Sequence, residues 1–470
     1  MTDRPKGWSQ ASLGDVAVSV KNGIFVSRPG LEPDGVPILR ISAVRPGALS
    51  LDDIRYSAKD VCELRESDAL LDPGDLLFTR YNGNIDYVGA CAIVPEGVGN
   101  LTYPDKLIRV RVDPETVDPR FVRYAFEAPP VRAVVRSVAR TTAGQAGVSG
   151  ASLKSIILPI PPLDEQRRIV AALERHLSQL VAGDDLLVKQ LLRLRGLKKR
   201  LLVEAVPLSS DAGWRTVTVA EAGRVDLGRQ RHPDWHTGPH MRPYLRVANV
   251  FEDRIDTTDV MEMDFPPAVF EKFRLERGDI LLNEGQSPEL LGRPALYRGI
   301  PEEVAFTNSL LRFRAGPGVD PEWALLVFRR HMHAGRFSRE VRITTNIAHL
   351  SASRFKSVEF PIPPLAEQRE IVARVSEQLA GVERLIEAIE RARRQSMALR
   401  VSLLAEAFAG RLVPQDPDDE PASELLARIK AERAATIPKQ RTRSRRTAKE
   451  LPAPATRVTG DDYQQETLPL

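Results

Sequence analysis

Two stretches of the chain carry a helical pattern of apolar positions far longer than a compact globule needs. Between Asp164 and Ala205 there is no proline, and Val170, Leu173, Leu177, Leu180, Leu187, Leu191, Leu194 and Leu201 follow one another mostly in steps of three and four. Asp184 and Lys198 intrude where that seam expects apolar groups. The same spacing returns at Val372, Val375, Leu379, Val382, Ile386, Ile389 and Leu403, interrupted by Arg393, Ser396 and Arg400. A helix of about 42 residues is roughly 60 Å long, so pairing the two helices is the economical way to cover both stripes. Ahead of each helix lie short β-type runs: Val36–Val44, Leu76–Thr79 and Leu107–Val112, then Tyr244–Val250, Ile280–Leu282 and Leu310–Arg314. Gly, Pro and Asp separate them, which predicts a mixed α/β globule with prominent loops before each helix.

The chain repeats itself. Pro159–Ala171 reads PIPPLDEQRRIVA and Pro361–Ala373 reads PIPPLAEQREIVA, identical at 11 of 13 positions. Upstream, Val117-Asp118-Pro119 answers Val319-Asp320-Pro321, Gly74-Asp75 answers Gly278-Asp279, Arg40 answers Arg246, and Gly7-Trp8 answers Gly213-Trp214. All lie about 200 residues apart, longer than a solenoid unit, so each copy is a domain plus a connector. Two similar globules tied to two paired helices suggest reading heads held apart by a stiff spacer.

At 470 residues, with 42% hydrophobic and 28% charged residues, the chain has globular composition. The net charge of +4 is local in origin, because Arg428–Glu450 holds nine Lys/Arg against two Glu. A polyanion partner must therefore be met by local basic patches in the folded body. Cys62 and Cys91 are the two cysteines, too few for a disulfide framework or a thiolate zinc site. With no long uncharged apolar run, a cytoplasmic protein is expected.

Motifs for chemistry are missing. Gly-Lys never occurs, which excludes a Walker A loop, and there is neither an Asp/Asn-Pro-Pro-aromatic sequence nor a Gly-x-Gly-x-x-Gly turn. No carboxylate is followed two residues later by lysine, as a common magnesium nuclease site requires. His232, His236 and His240 have helix-like ligand spacing, but Pro233, Gly238 and Pro239 break any helix there.

The doubled PIPPLxEQRxIV followed by a long helix, the Gly-Trp opening, the Gly-Asp-Leu/Ile-Leu turn and the stretch AEAFAGRLVPQDPDDEPA over Ala405–Ala422 resemble the specificity (S) subunits of type I restriction-modification systems. The resemblance covers nearly the whole chain. It implies an α+β architecture of two similar α/β target recognition globules in tandem, separated by two long antiparallel coiled-coil helices with pseudo-two-fold character. Residues 1–158 and 207–360 would be the recognition domains, 159–206 and 361–412 the conserved helical regions, and 413–470 a tail. It further implies binding of an asymmetric bipartite site on double-stranded DNA, and partnership with two methyltransferase (M) subunits and with restriction (R) subunits. S-adenosylmethionine, ATP and Mg would belong to those partners, and this chain would bind no cofactor, hold no metal and catalyse nothing. A non-catalytic coiled-coil scaffold whose globules bind proteins is the alternative, and an enzyme acting on nucleic acid by itself is a further one.

Base readout needs paired donors and acceptors on loops that reach a groove edge. After the first Gly-Asp-Leu-Leu strand come Arg80, Tyr81, Asn82 and Asn84; after the second come Asn283, Glu284, Gln286 and Ser287. These loops hold equivalent places with different chemistry, as expected of one scaffold reading two half-sites, although an Asn/Gly turn closing a hairpin gives the same sequence. A second pair comprises Thr141, Thr142 and Gln145 beside Arg140, and Thr344, Thr345 and Asn346 beside Arg342. Arg40 and Arg246 suit either DNA contact or an ion pair under the sheet. The exposed helix faces and the Pro-Pro-Leu-x-Glu-Gln junctions are candidates for M docking, with helix capping by Asp164 or Glu165 as the other role. The tail should begin acidic at Asp416–Glu420, form a short helix over Ser423–Ala434, and be disordered from Thr436, with a basic cluster at Arg441–Arg446.

Overall fold

The computed structural model describes residues 5–26, 29–32, 35–142, 144–208, 213–339 and 348–436. It divides into two compact units, Met1–Leu173 with Leu404–Leu470, and Glu174–Leu403. Each unit holds a globule around a four-stranded antiparallel sheet of one topology. In the first the strand order is Ala17–Asn22, Leu107–Val112, Leu76–Thr79, Cys91–Ile93. In the second it is Gly223–Leu227, Leu310–Ala315, Ile280–Asn283, Pro294–Leu296. Every residue of Leu76–Thr79 and Ile280–Asn283 is buried, so these strands are covered on both faces and read as continuous apolar runs. Helices Pro119–Glu127 and Pro321–His333 supply one cover, meeting the sheets through Phe78–Phe126 and Phe313–Phe328 ring pairs at 4.7 and 5.0 Å. The runs Val36–Val44 and Tyr244–Val250 are not continuous strands. Val36–Ile38 and Met241–Leu245 are extended, and each chain then turns through a short 3-10 segment, Ile41–Ala43 or Val247–Asn249.

The Gly-Asp turns carry a buried charge network. In the first globule Arg111 donates from Nε to Asp75 at 2.7 Å and from Nη1 to Asp68 at 2.7 Å, while the fully buried Arg109 donates to Asp68 at 2.7 Å. These guanidiniums and Lys21 hold the Asp68 carboxyl below the usual range, against the burial that would raise it. In the second globule Arg314 grips Asp279 at 2.7 and 2.8 Å, and Arg312 donates to Asp226 at 2.6 Å. Asp75 and Asp279 also accept from the backbone N–H of Asp72 and Glu276 respectively, closing each turn.

Three of the repeated motifs fold into one clamp, built twice. Trp8 Nε1 donates to Glu165 at 3.0 Å, and Trp214 Nε1 donates to Glu367 at 3.0 Å. Gln166 accepts from the Asp118 N–H at 3.0 Å and donates to the Pro161 carbonyl at 3.0 Å. Gln368 likewise accepts from Asp320 N–H at 2.8 Å and donates to the carbonyls of Pro363 and Gly318. Asp118 and Asp320 in turn cap the helices that follow them. Glu165, Gln166 and Gln368 are buried and Glu367 is half-buried, so the Glu-Gln pair of each junction is engaged by its own globule. The Ala405–Ala422 stretch is equally structural. Phe408 packs on Phe121 at 5.0 Å, Asp419 accepts from both amino groups of Arg168, and the Ala422 N–H donates to the Gly7 carbonyl at 2.9 Å.

The long helices span Leu163–Glu204 and Leu365–Phe408. In the second unit they run antiparallel: Asp184 accepts from Arg393 at 2.7 and 3.1 Å, Arg195 lies 3.8 Å from Glu390, and Lys198 donates to Glu383 at 3.1 Å. Asp184 and Arg393, which interrupt the two seams, thus face each other. Exposed pairs of this kind contribute only about 0–1 kcal/mol each, but they fix direction and register along a seam that includes the buried Leu191, Leu379 and Val382. Leu202 and Val206 at the end of the first helix enter the second globule's core with Ile371, Val375 and Leu379. The chain continues after Ala409 to a helix at Ala422–Thr436; the basic cluster Arg441–Arg446 lies outside the described residues.

One buried titratable group, His331, should make the second globule acid-sensitive. His331 donates from Nε2 to the Glu359 carbonyl at 2.9 Å, with Arg330 and Arg336 nearby. Burial and these neighbouring cations push its pKa down to about 4, against the attraction of Glu359. The folded protein therefore keeps His331 neutral while the unfolded chain takes up a proton below the ordinary histidine value of about 6.5. Stability should fall as pH drops from about 6.5 to about 4, by at most about 1.4 kcal/mol per pH unit, and this loss should level off below that window. Urea melts of the second globule across that range, compared with His331→Gln, check it; an unchanged acid limb in the variant would count against this assignment.

Candidate nucleic-acid interface

The loops that follow the two buried central strands are positioned by what comes after them. In the first globule Tyr81–Asn82 joins Gln145–Gly147, with Asn82 opposite Ala146 and Tyr81 opposite Gly147; Gln145–Gly147 in turn pairs with Arg140–Thr142. This three-stranded sheet brings the two candidate clusters of the first copy, some 60 residues apart in sequence, onto one edge. Thr141 and Gln145 are exposed there, Tyr81 and Asn82 half-buried, and Thr142 lies on the outer strand. Gly147 is needed for the close approach, since a Cβ would stand 2.2 Å from Tyr81 Cδ1. The Arg80 guanidinium covers the Tyr81 ring at 4.8 Å and donates to the Asp105 carbonyl at 3.2 Å. Both asparagines already shape the turn: Asn82 accepts from the Asn84 N–H and Asn84 from the Asp86 N–H, each at 2.9 Å. Each keeps its amide NH₂ and a carbonyl lone pair for a further partner.

Arg132 and Arg136 brace this edge from below, through the carbonyls of Val88 and Asp86 and the Asp86 carboxylate. Lys106, whose carbonyl accepts from the Arg80 N–H at 2.9 Å, is exposed beside it. Lys106 was absent from the sequence candidates. Its place just before Leu107–Val112, in a different segment from both clusters, gave no local signal.

The second globule builds the same edge with other side chains. Gly285–Gln286 pairs with Ala348–His349, and Glu284 accepts from His349 Nδ1 at 3.2 Å. Gln286 and Ser287 are half-exposed, with the Gln286 oxygen accepting from the Ser287 N–H. Asn283 is different. It is fully buried in the central strand, and with its amide oxygen toward Arg293 it accepts from Nη2 and Nε at 3.2 and 3.3 Å, which removes it from the set able to reach a base. Thr344, Thr345 and Asn346 lie outside the described residues, as does Arg342. His349, Asn308 and Ser309 flank the loop and were not anticipated; Ser309 accepts from the Glu284 N–H through its carbonyl. Arg40 and Arg246 are not in strands. Each precedes a 3-10 turn and pairs with an aspartate thirteen residues on, Asp53 or Asp259.

A family model for the type I restriction modification DNA specificity domain matches residues 5–186 and 270–391. The chain belongs to that family. The specificity subunit of the type I restriction enzyme EcoKI from Escherichia coli K12 is 38% identical over 213 residues, 44% of this chain and 44% of that one. The StySPI specificity subunit of Salmonella potsdam is 24% identical over 472 residues, covering 94% of this chain and 98% of its own. A solved structure from work on complex assembly and conformational transition of the type I R-M system superposes with a TM-score of 0.70 at 18% identity, over 87% of this chain and 99% of the other, and so shares its fold. The chain pairs recurrent globules with long helices, and its role is in DNA sequence specificity. Among the described residues, no helix is long and apolar enough to cross a membrane.

Proposed function

We propose that each globule reads one half of an asymmetric, bipartite DNA site, that the helix pair sets the gap between the halves, and that the chain positions methyltransferase and restriction subunits without performing chemistry itself. The observation that carries this reading is one scaffold, used twice, presenting different side chains at one place: Arg80, Tyr81, Asn82, Asn84, Thr141 and Gln145 in the first copy, and Glu284, Gln286, Ser287 and His349 in the second. Identical scaffolds supply equal phosphate positioning, and different loops supply different base contacts. Methyl transfer to adenine in a duplex requires extruding the base, a task for the methyltransferase subunits, which would bring S-adenosylmethionine. ATP and Mg would serve the restriction subunits, and such an assembly works in the cytoplasm, where the chromosome is.

Asn82→Ala should relax the sequence requirement in one half-site, and Gln286→Ala in the other, each lowering discrimination at one or two base pairs by about tenfold or more. Single-molecule sequencing of methylated adenines, in cells carrying each variant with its methyltransferase partner, measures this directly. Equal weakening of both halves by one variant would mean phosphate contact or misfolding. Methylation of no gapped motif by the unmodified chain would favour a protein-binding scaffold.

A further inference from the structure

Beside each reading edge the chain makes a second, matched approach. In the first globule the segment leaving the edge strand Ala17–Asn22 crosses the one entering Leu107–Val112. Gly23 N–H donates to the Leu107 carbonyl and Ile24 N–H to Tyr103, while Asp105 N–H returns a bond to Ile24. In the other globule Gly228 N–H donates to Leu310, Arg229 N–H to Phe306, and Asn308 N–H returns to Arg229. Both crossings need glycine: a Cβ would stand 2.2 Å from the Pro104 carbonyl oxygen at Gly23, and 2.2 Å from that of Thr307 at Gly228. The crossed segments bear directly on the reading loops, since the Lys106 carbonyl accepts from the Arg80 N–H and the Ser309 carbonyl from the Glu284 N–H.

What the crossings deliver is opposite in kind. The first places Ile24, Phe25 and Val26, with Phe25 73% exposed although it is among the most apolar side chains of the globule. The second places Arg229, Gln230 and Arg231, of which Gln230 and Arg231 are exposed. Arg229 is held back, its guanidinium 4.0 Å from the Trp235 ring and 4.7 Å from Phe265, donating to the Asp264 carbonyl. The aromatic side chain is thus left largely in water at the spot where the sister copy exposes an amide and a guanidinium.

Building on the DNA reading above, we propose that Phe25 in the first globule, and Gln230 with Arg231 in the second, form a second base-reading element beside the first. Phe25 would make apolar contact with a thymine methyl group in the half-site that Asn82 reads. Gln230 and Arg231 would bond the major-groove edges of purines, adenine by the amide and guanine by the guanidinium, in the half-site that Gln286 reads.

The test is the methylated-adenine map of cells expressing the full chain with its methyltransferase partner, for Phe25→Ala, Phe25→Leu, the double variant Gln230→Ala/Arg231→Ala, and Asn82→Ala. Phe25→Ala should lower discrimination about tenfold at a thymine-containing pair of the half-site affected by Asn82→Ala; Phe25→Leu should keep most of it, and the double variant should relax the other half. Phe25 is exposed, so thermal melts should match the unmodified chain and exclude misfolding. Wild-type discrimination in Phe25→Ala and the double variant, beside a relaxed half-site in Asn82→Ala, overturns this proposal and leaves the functional reading standing. Uniform loss across both halves also overturns it, assigning these side chains to phosphates or to the fold. If the unmodified chain methylates no gapped motif, the functional reading fails and takes this proposal with it.

Discussion

Asp279→Ala is expected to destabilise the second globule by about 3–5 kcal/mol, as removal of one partner from a buried ion pair does. Asp279 is 1% exposed and holds Arg314 through two hydrogen bonds, with Arg312 3.9 Å away and the Glu276 N–H at 2.8 Å. Alanine leaves the two guanidiniums at this site without that carboxylate, and opens the turn that sends the chain into its most buried strand. Domain stabilities run to about 5–15 kcal/mol, so the loss is a large fraction of the whole. Hydrogen exchange should show the sheet around Ile280–Asn283 losing protection in low urea while Leu76–Thr79 keeps it; Asp75→Ala should produce the converse. A comparably sized loss in Glu303→Ala, whose partner Arg242 is at the surface, would undermine the argument, because exposed pairs contribute about 1 kcal/mol or less.

Lengthening both long helices by one heptad, between Leu187 and Leu194 in the first and at the matching level near Glu390 in the second, should replace the DNA site by one with a wider gap. Both helices must be extended, because the Asp184–Arg393 and Lys198–Glu383 pairs fix an antiparallel register that a single insertion would break. Seven helical residues add about 10 Å, equivalent to roughly three base pairs of B-DNA. Methylation at the original motif should disappear, and the same two half-sites should return with about three more base pairs between them. Retention of the old gap by a folded, active protein would sink the helix pair as the ruler.

The helices and the repeat were legible in sequence because both are statements about local spacing: the proline-free stretch from Asp164 to Ala205 corresponds to a helix over Leu163–Glu204. What the repeated residues do was not legible. Glu165 and Gln166 look like surface residues at a helix start, and only the fold reveals Trp8 and the Asp118 N–H waiting for them. Asp184 and Arg393 read as two flaws in two stripes until pairing across some 200 residues makes them one contact. The candidate interface edges show the same limit. Asn283 ends a strand and resembles its loop neighbours, yet Arg293 draws it inside; the convergence of Tyr81–Asn82 with Gln145–Gly147 depends on a strand pairing that no local pattern encodes.

The first unit takes its chain from two separate segments, Met1–Leu173 and Leu404–Leu470, whereas the second is the unbroken run Glu174–Leu403. Synthesis on the ribosome proceeds from the N-terminus, and domains fold as their chains emerge. The globule made first must therefore wait: Phe121 has no Phe408, Arg168 no Asp419 and Gly7 no Ala422 until those later residues have been made, by which point Glu174–Leu403 has already emerged as one piece. The unit translated first is the one completed last, so a nascent chain stalled before Leu404 would carry an unfinished first globule.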